Sequence, residues 1–412
     1  MSKISDLIAK LCPNGVEYRR VCDVFTRLRG TPITATKMKE LATSDGDVRI
    51  FAGGKTAVFA LEADIPNANV IRVPAVLVQS RGVIDFIFYD KPFTFKNEMW
   101  AYTADEVVSV KFLYYVLQSH AEKFREAATA MGAFPQISLK VTEEFLIPVP
   151  PLEVQREVVE VLDKFALLTA ELTAELTAEL EKRKKQYEHY RDKLLKFTQG
   201  GGCKQLTLGE IATIERGNGL QKSDFIESGY PCIHYGQVHT RFGTATSNVL
   251  SYVSADLAKS LKVVHSGDII MAVTSEDVDC VCKCTAWVGG FDIVTGGHTA
   301  IIRHNQNAKY LSYYFQTPDF AAQKKKLAHG TKVIEVTPSK LADIKIPLPP
   351  LAEQERIVKI LDRFDKLCND LTSGLPAEIA ARKKQYEYYR DKLLNFPPSP
   401  GLRRTSKQEE AA

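Results

Sequence analysis

"RKKQYEHYRDKLLKF" (Arg183–Phe197) and "RKKQYEYYRDKLLNF" (Arg382–Phe396) agree at thirteen of fifteen positions and start 199 positions apart. The likeness extends outward. "IPVPPLEVQREVVEVLDKF" (Ile147–Phe165) and "IPLPPLAEQERIVKILDRF" (Ile346–Phe364) agree at ten of nineteen positions with the same offset. Weaker echoes lie upstream: "VCDVFTRLRG" (Val21–Gly30) with "LGEIATIERG" (Leu208–Gly217), and "KFLYYVLQS" (Lys111–Ser119) with "KYLSYYFQT" (Lys309–Thr317). Between the echoes the halves share almost nothing. The chain is one unit written twice, with shared frames and private middles, and such self-similarity decides the architecture.

A chain of 412 residues, 45% hydrophobic and 25% charged, has the composition of an ordinary globular protein. Each half is long enough to bury its own core. A net charge of +4 says little about partners. The start, "MSKISDLIAKL", lacks the long apolar core of a signal peptide, and no apolar run spans a bilayer, so a cytoplasmic location is expected. Eight cysteines in a chain of this length do not form a disulfide scaffold.

Five blocks follow. Residues 1–150 mix short β-like runs ("NVIRVPAVLVQS", "GVIDFIFYD") with a helical run, "VKFLYYVLQSHAEKFREAATA", and predict a first globular domain. Residues 151–199 have no internal Pro or Gly and predict one long helix, opened by Pro150 and Pro151 and ended by Gly200, Gly201 and Gly202. Residues 200–349 repeat the mixed pattern ("LKVVHSGDIIMAVT", "CTAWVGGFDIVTGGHTAIIRH"). Residues 350–396 predict a second long helix, and residues 397–412 a disordered tail. The fold class is α+β (mixed α/β): two tandem globular domains, two long helices and an internal pseudo-two-fold repeat.

Leu152–Phe197 as one helix spans roughly 70 Å at about 1.5 Å per residue, more than a small domain needs. Its apolar residues form a stripe, including Leu168, Leu172, Leu176, Leu180, Tyr187, Tyr190 and Leu194. The second helix has a matching one through Tyr386, Tyr389 and Leu393. Two such stripes most simply bury each other as an antiparallel coiled coil. In "LTAELTAELTAEL" the leucines recur every four residues, advancing the stripe by roughly 40° per repeat, which is not a heptad seam. The run reads as a ruler or as a tolerant spacer. At the matching place "LTSGLPAEI" carries Gly374 and Pro376, which predict an interruption of the second helix.

With these pieces assembled, the chain resembles, over nearly its whole length, the specificity subunit of type I restriction–modification systems. The "PLPPLxEQ"-like helix starts, the duplicated "RKKQYExYRDKLL" ends and the variable middles carry the resemblance, and the "TAEL" run looks like the linker of the type IC group. The resemblance implies that each variable domain is a target-recognition domain for one half of a split DNA site. It implies helices that set the gap and dock two modification subunits, which bind S-adenosylmethionine and methylate adenine. Restriction subunits would add ATP- and Mg-dependent cleavage and translocation. The chain itself would hold no cofactor and catalyse nothing.

The residues agree on the last point. There is no "NPPF" or "DPPY" methyltransferase motif, no HExxH and no GxSxG. "RGNGL" lacks the third glycine of a dinucleotide loop, and "FAGGKTA" has Arg49 where a phosphate-binding loop needs its first glycine. In "DCVCKCTAW", Cys280, Cys282 and Cys284 alternate, so a strand would bury them on one face. The spacing is not that of a zinc site, and no metal is expected. DNA contact requires Lys or Arg for phosphates, and Arg, Lys, Asn, Gln or Ser for base edges. These should lie in the private middles. The candidates are Lys55, Gln79, Ser80, Arg81, Lys96 and Asn97 in the first domain. In the second they are Asn218, Lys222, His234, Gln237, Arg241, Thr274 and Ser275. Tyr235 and His239 belong to the same polar cluster. Arg29 and Arg216, each just before a glycine, fit phosphate contact or the frame, and "QKKK" (Gln323–Lys326) fits a charged helix face. Two other classes stay open: a self-sufficient DNA enzyme, and a coiled-coil scaffold with protein-binding end domains.

Overall fold

The computed structural model describes residues 2–54, 56–131, 134–197, 203–370 and 373–400. The chain divides into two compact units. One holds Met1–Glu175 together with Ile379–Ala412, and the other holds Leu176–Glu378. Each unit therefore owns one globular domain, the start of one long helix and the end of the other.

The first unit is built on two sheets. The larger has the order Thr26–Leu28, Trp100–Thr103, Ala75–Gln79, Asp85–Tyr89, antiparallel throughout. Its central strand, "AVLVQ", is buried at every position, as a near-continuous β-branched and aliphatic run requires. Val48–Phe51 lies between Ala57–Ala60 and Phe93–Phe95 in the smaller sheet. The helical run expected after Val107 divides in two, Val107–Ser119 and Ala121–Glu126, because His120 leaves helical geometry at ψ 14°. A frame ladder, Tyr18–Arg20 against Leu146–Pro148, closes the domain and places Ile147 in the core.

The second unit repeats that frame ladder as Lys204–Thr207 against Lys345–Leu348, with Ile346 in the core. Its middle differs. A five-stranded sheet runs Ala212–Arg216, Thr299–His304, Ile269–Ala272, Cys284–Trp287, Ala245–Thr246. A four-stranded sheet is ordered Ser251–Val253, Tyr230–Ile233, Ile293–Thr295, Lys262–Val264. The cysteine expectation is corrected here. Only Cys284 is in a strand, while Cys280 and Cys282 belong to the preceding turn, where Cys282 adopts φ +64°. The alternation therefore does not reflect one strand face.

The first long helix is continuous from Leu152 to Leu195, 44 residues or about 66 Å. Both helix starts are braced alike. Gln155 donates through Nε2 to the Pro150 carbonyl at 2.8 Å, and Gln354 to the Pro349 carbonyl at 2.9 Å. The glycines expected to end the first helix lie outside the described residues. The second long helix is interrupted as expected, into Leu351–Asn369 and Leu375–Leu394. A Cβ on Gly374 would meet the carbonyl oxygens of Asp370 and Lys366 at 2.7 Å, so only glycine permits that close approach.

Helix starts and helix ends pack within their own units. In the second unit Tyr190 stacks on Phe364 at 5.5 Å. Tyr187 lies beside Asp365 and Cys368, and Cys368 beside Arg183 and Lys184, so the two segments run antiparallel. The repeat of that pair in the first unit is Tyr389 with Phe165, at 6.0 Å. The expectation of a fully buried leucine stripe is corrected: Leu168 is 59% exposed and Leu172 36%, because a period of four carries the stripe off the contact face. The tail is also ordered at its start. Val16 donates to the Pro397 carbonyl at 2.8 Å, Ser399 donates to the Val16 carbonyl at 3.0 Å, and Phe396 is buried.

Candidate nucleic-acid interface

In the first unit three loops converge. Gly53 and Gly54 approach the turn of Arg81 and Gly82, with a Gly53 Cβ position 3.6 Å from the Arg81 carbonyl and 4.0 Å from Glu98 Oε1. The Lys96 amide donates to the Phe51 carbonyl at 3.0 Å, tying in the third loop. Gly54 and Gly82 have φ +70° and +78°, where a side chain is strained. The surface made here carries Arg81 and Asn97, both exposed, and Lys96, whose ammonium is 3.0 Å from Glu98. Lys55 lies outside the described residues. Gln79 and Ser80 are withdrawn from the candidates. Both are buried, Ser80 donating to the Glu98 carbonyl and Gln79 ending the central strand.

In the second unit Lys222, His234, Gln237 and Arg241 line one cleft of about 510 Å³ with Phe225 and Thr240. The sequence groups His234, Gln237 and Arg241 by adjacency; Lys222 joins them only in the fold. The cleft is shaped by a cap. His234 precedes the short helix Tyr235–Thr240, and its Nδ1 accepts from the Gly236 amide at 3.2 Å. Gln237 returns the contact, accepting from the His234 amide at 3.0 Å and donating to Ser251 Oγ at 2.6 Å. Both polar groups are thus spent on local structure. His234 is 4% exposed and leaves the set of base readers; burial, then Lys222 and His298, lowers its pKa and favours the neutral ring. Lys222 and Arg241 remain exposed at the cleft.

Thr274 is buried and is likewise withdrawn as a contact residue. Its carbonyl accepts from His239 Nε2 at 3.1 Å, and its hydroxyl meets His298 Nδ1 at 3.0 Å. Ser275 is half-buried in a two-residue ladder with Ile334. Arg216 is exposed, donates to the Gly297 carbonyl and pairs with Glu335 at 2.7 Å, so its charge is largely matched in place. Asn218 donates to the Ser260 carbonyl at 2.9 Å. Arg29 is exposed, and its carbonyl accepts from Asn69. His298 was missed. It is exposed on the glycine-rich turn after Ile293–Thr295, with its ring 4.8 Å from Tyr235. The only sequence signal for it is "TGGH" between two strand-like runs.

The repeated fifteen-mer divides into two faces. Tyr187 and Leu393 are buried in their own units, and Tyr190 and Tyr389 make the ring contacts above. Arg191 lies over Tyr187 at 5.7 Å, and Arg390 over Tyr386 at 5.9 Å. Burial pushes the Tyr386 phenol up to about 12. Lys185 and Lys384, Glu188 and Glu387, and Lys193 and Lys392 are exposed in both copies, leaving two like charged surfaces. Leu176, Leu180 and Leu194 are half-buried. Among the described residues no helix is long and apolar enough to cross a membrane, and no three His, Cys, Asp or Glu side chains are grouped to hold a metal.

Comparison with known proteins places these features. A model of the type I restriction modification DNA specificity domain matches residues 13–182 and again residues 201–381. The type I restriction enzyme EcoR124I/EcoR124II specificity subunit of Escherichia coli is 35% identical over 324 residues, covering 76% of this chain and 77% of that one. A putative type I restriction enzyme specificity subunit of Haemophilus influenzae is 31% identical over 319 residues, covering 73% and 76%. A chain from a solved structure of the type I R-M system superposes with a TM-score of 0.63 at 18% identity, over 93% of this chain and 98% of that chain, a likeness of fold.

Proposed function

The chain belongs to the type I restriction–modification DNA specificity family, whose members recognise DNA and are not catalytic, and on that premise we propose how this one divides the work. The first domain reads one half of a gapped double-stranded DNA site through the surface of Arg81, Lys96 and Asn97, with Lys55 kept as a further candidate from the sequence. The second reads the other half through the cleft of Lys222 and Arg241, beside Arg216, Asn218 and Ser275. The long helices set the gap. The like charged surfaces of the fifteen-mer dock two modification subunits, which bring S-adenosylmethionine, and restriction subunits bring ATP and Mg chemistry. The work is done in the cytoplasm, and the "TAEL" run makes a type IC linker.

One observation supports this reading above the others: the same frame is built twice around unlike middles, and the candidate cations Arg81, Lys96, Lys222 and Arg241 sit in the middles. A pseudo-two-fold chain binds two copies of one partner, while different middles choose different bases. Mapping adenine methylation in cells that carry the cognate modification subunit, with and without this chain, tests it. A split motif of fixed gap that depends on the chain is expected. Absence of any such motif, with the two proteins shown to associate, favours a scaffold with protein-binding end domains.

A further inference from the structure

The two frames carry the same three-group contact at the same place. In the first unit Asp163, on the long helix, accepts from Lys111 Nζ on one carboxylate oxygen and from the Tyr115 hydroxyl on the other, each at 2.6 Å. In the second unit Asp362 accepts from Lys309 Nζ and the Tyr313 hydroxyl, again one to each oxygen, at 2.8 Å. Lys and Tyr stand four apart on one short helix of the globular domain, so both reach the same side. Burial, together with the neighbouring carboxylates, raises the pKa of both phenols, which keeps them protonated and donating.

In the second unit Gln354 also accepts from the Asn307 amide and donates to Gln306 Oε1, a contact that Gln155 Oε1 does not repeat in the first; the remainder of what the two junctions share is apolar. Phe112 and Tyr115 share a core with Val158 and Leu162 in the first unit, and Tyr310 and Tyr313 with Ile357 and Leu361 in the second. Apolar packing is non-directional and holds the helix against the domain without fixing its roll. Two charge-assisted bonds on the two oxygens of one carboxylate are directional and do fix it. The Lys–Asp pairs are about one-third exposed, so as ion pairs they add little stability. Their repetition in both halves therefore calls for a geometric role.

We propose that Asp163 and Asp362 are positioning residues for DNA recognition, each locking its domain at one orientation on the long helix of its own unit and so sharpening the choice of one gap length. This rests on the reading above, that the two domains take the two halves of a gapped site. A roll of about 10° across a domain roughly 30 Å wide moves its loops by about 5 Å, more than the roughly 3.4 Å rise of one base pair. Loosening a clamp therefore admits neighbouring gaps while leaving the base-reading loops intact.

The test is methylation mapping with the full chain and its modification subunit, comparing wild type with Asp163→Asn, Asp362→Asn and Tyr115→Phe. The quantity read is methylation at the normal gap relative to gaps one base pair longer or shorter. A fall in that ratio of roughly tenfold or more, with unchanged half-site bases, is expected. A purely structural contact lowers methylation at all gaps alike, and an unchanged ratio in variants that still methylate overturns the proposal, as does a change in the bases read. Tyr115→Phe keeps the ring and removes one hydroxyl, so it gives the answer if an Asp variant fails to accumulate. A wild-type chain that yields no gapped motif overturns the underlying reading and the clamp with it; a gapped motif with an insensitive ratio overturns the clamp alone.

Discussion

At the scale of single residues, polar side chains of the DNA-reading type fall into two states that their identity does not distinguish. Gln79, Ser80, His234 and Thr274 are buried parts of the scaffold, whereas Arg81, Asn97, Lys222 and Arg241 are exposed. The cleft of the second domain was legible as a cluster, because "CIHYGQVHTR" crowds its polar groups on one short turn. The role of its histidine was not, since a cap depends on which amide lies within reach. Lys222→Ala and Arg241→Ala should each weaken DNA binding. Where the side chain meets a phosphate, its removal should also reduce the slope of log affinity against log salt by about 1, measured by titration at several salt concentrations. Changes in the buried Thr274 should act through folding and leave that slope alone.

A buried histidine and a half-buried aspartate give opposite pH signatures. The folded pKa of His234 is lowered, so at mildly acidic pH the unfolded chain holds the extra proton, and stability falls as pH drops below about 6.5. His234→Asn keeps a capping acceptor and should flatten that part of the melting profile. Asp365 is raised, by burial first and by Asp362 to a smaller extent, against the bond from Asn369. Its carboxylate is disfavoured in the folded state near neutrality, and that cost disappears as pH falls through the raised value. Asp365→Asn should therefore raise the melting temperature at about pH 7.5, with the gain vanishing in acid, as a calorimetric pH series would show.

At the scale of elements, the long helices were the most legible part of the chain. An uninterrupted run of good helix formers and a Gly–Pro break can each be read locally, and Leu152–Leu195 and the interruption before Leu375 follow them. The strands were less so: most are two to five residues long and pair across large sequence separations, as Ala212–Arg216 does with Thr299–His304. The "TAEL" run carries the main prediction at this scale. One repeat adds about 6 Å and turns the helix by about 40°, while one base pair adds roughly 3.4 Å and turns DNA by roughly 35°. The rotation matches one base pair. Deleting Thr173–Leu176 should shorten the gap in the methylated motif by one base pair and leave both half-sites unchanged; an unchanged gap would remove the ruler.

For the whole molecule, the repeat was readable because both copies meet the same kind of neighbour. Phe165 with Tyr389 and Phe364 with Tyr190 are one contact made twice, and the sequence keeps both halves of it. The middles could not be aligned because nothing requires them to agree. On the proposed reading, these middles are independent readers on a common frame. It is tested most directly by exchanging the second middle with its flanking echoes, residues 208–344, for the first with its own, residues 21–145, and mapping adenine methylation beside the parent chain. One half of the motif is expected to take on the bases of the other while the remaining half and the gap persist. A motif altered in both halves, or not altered at all, would contradict it.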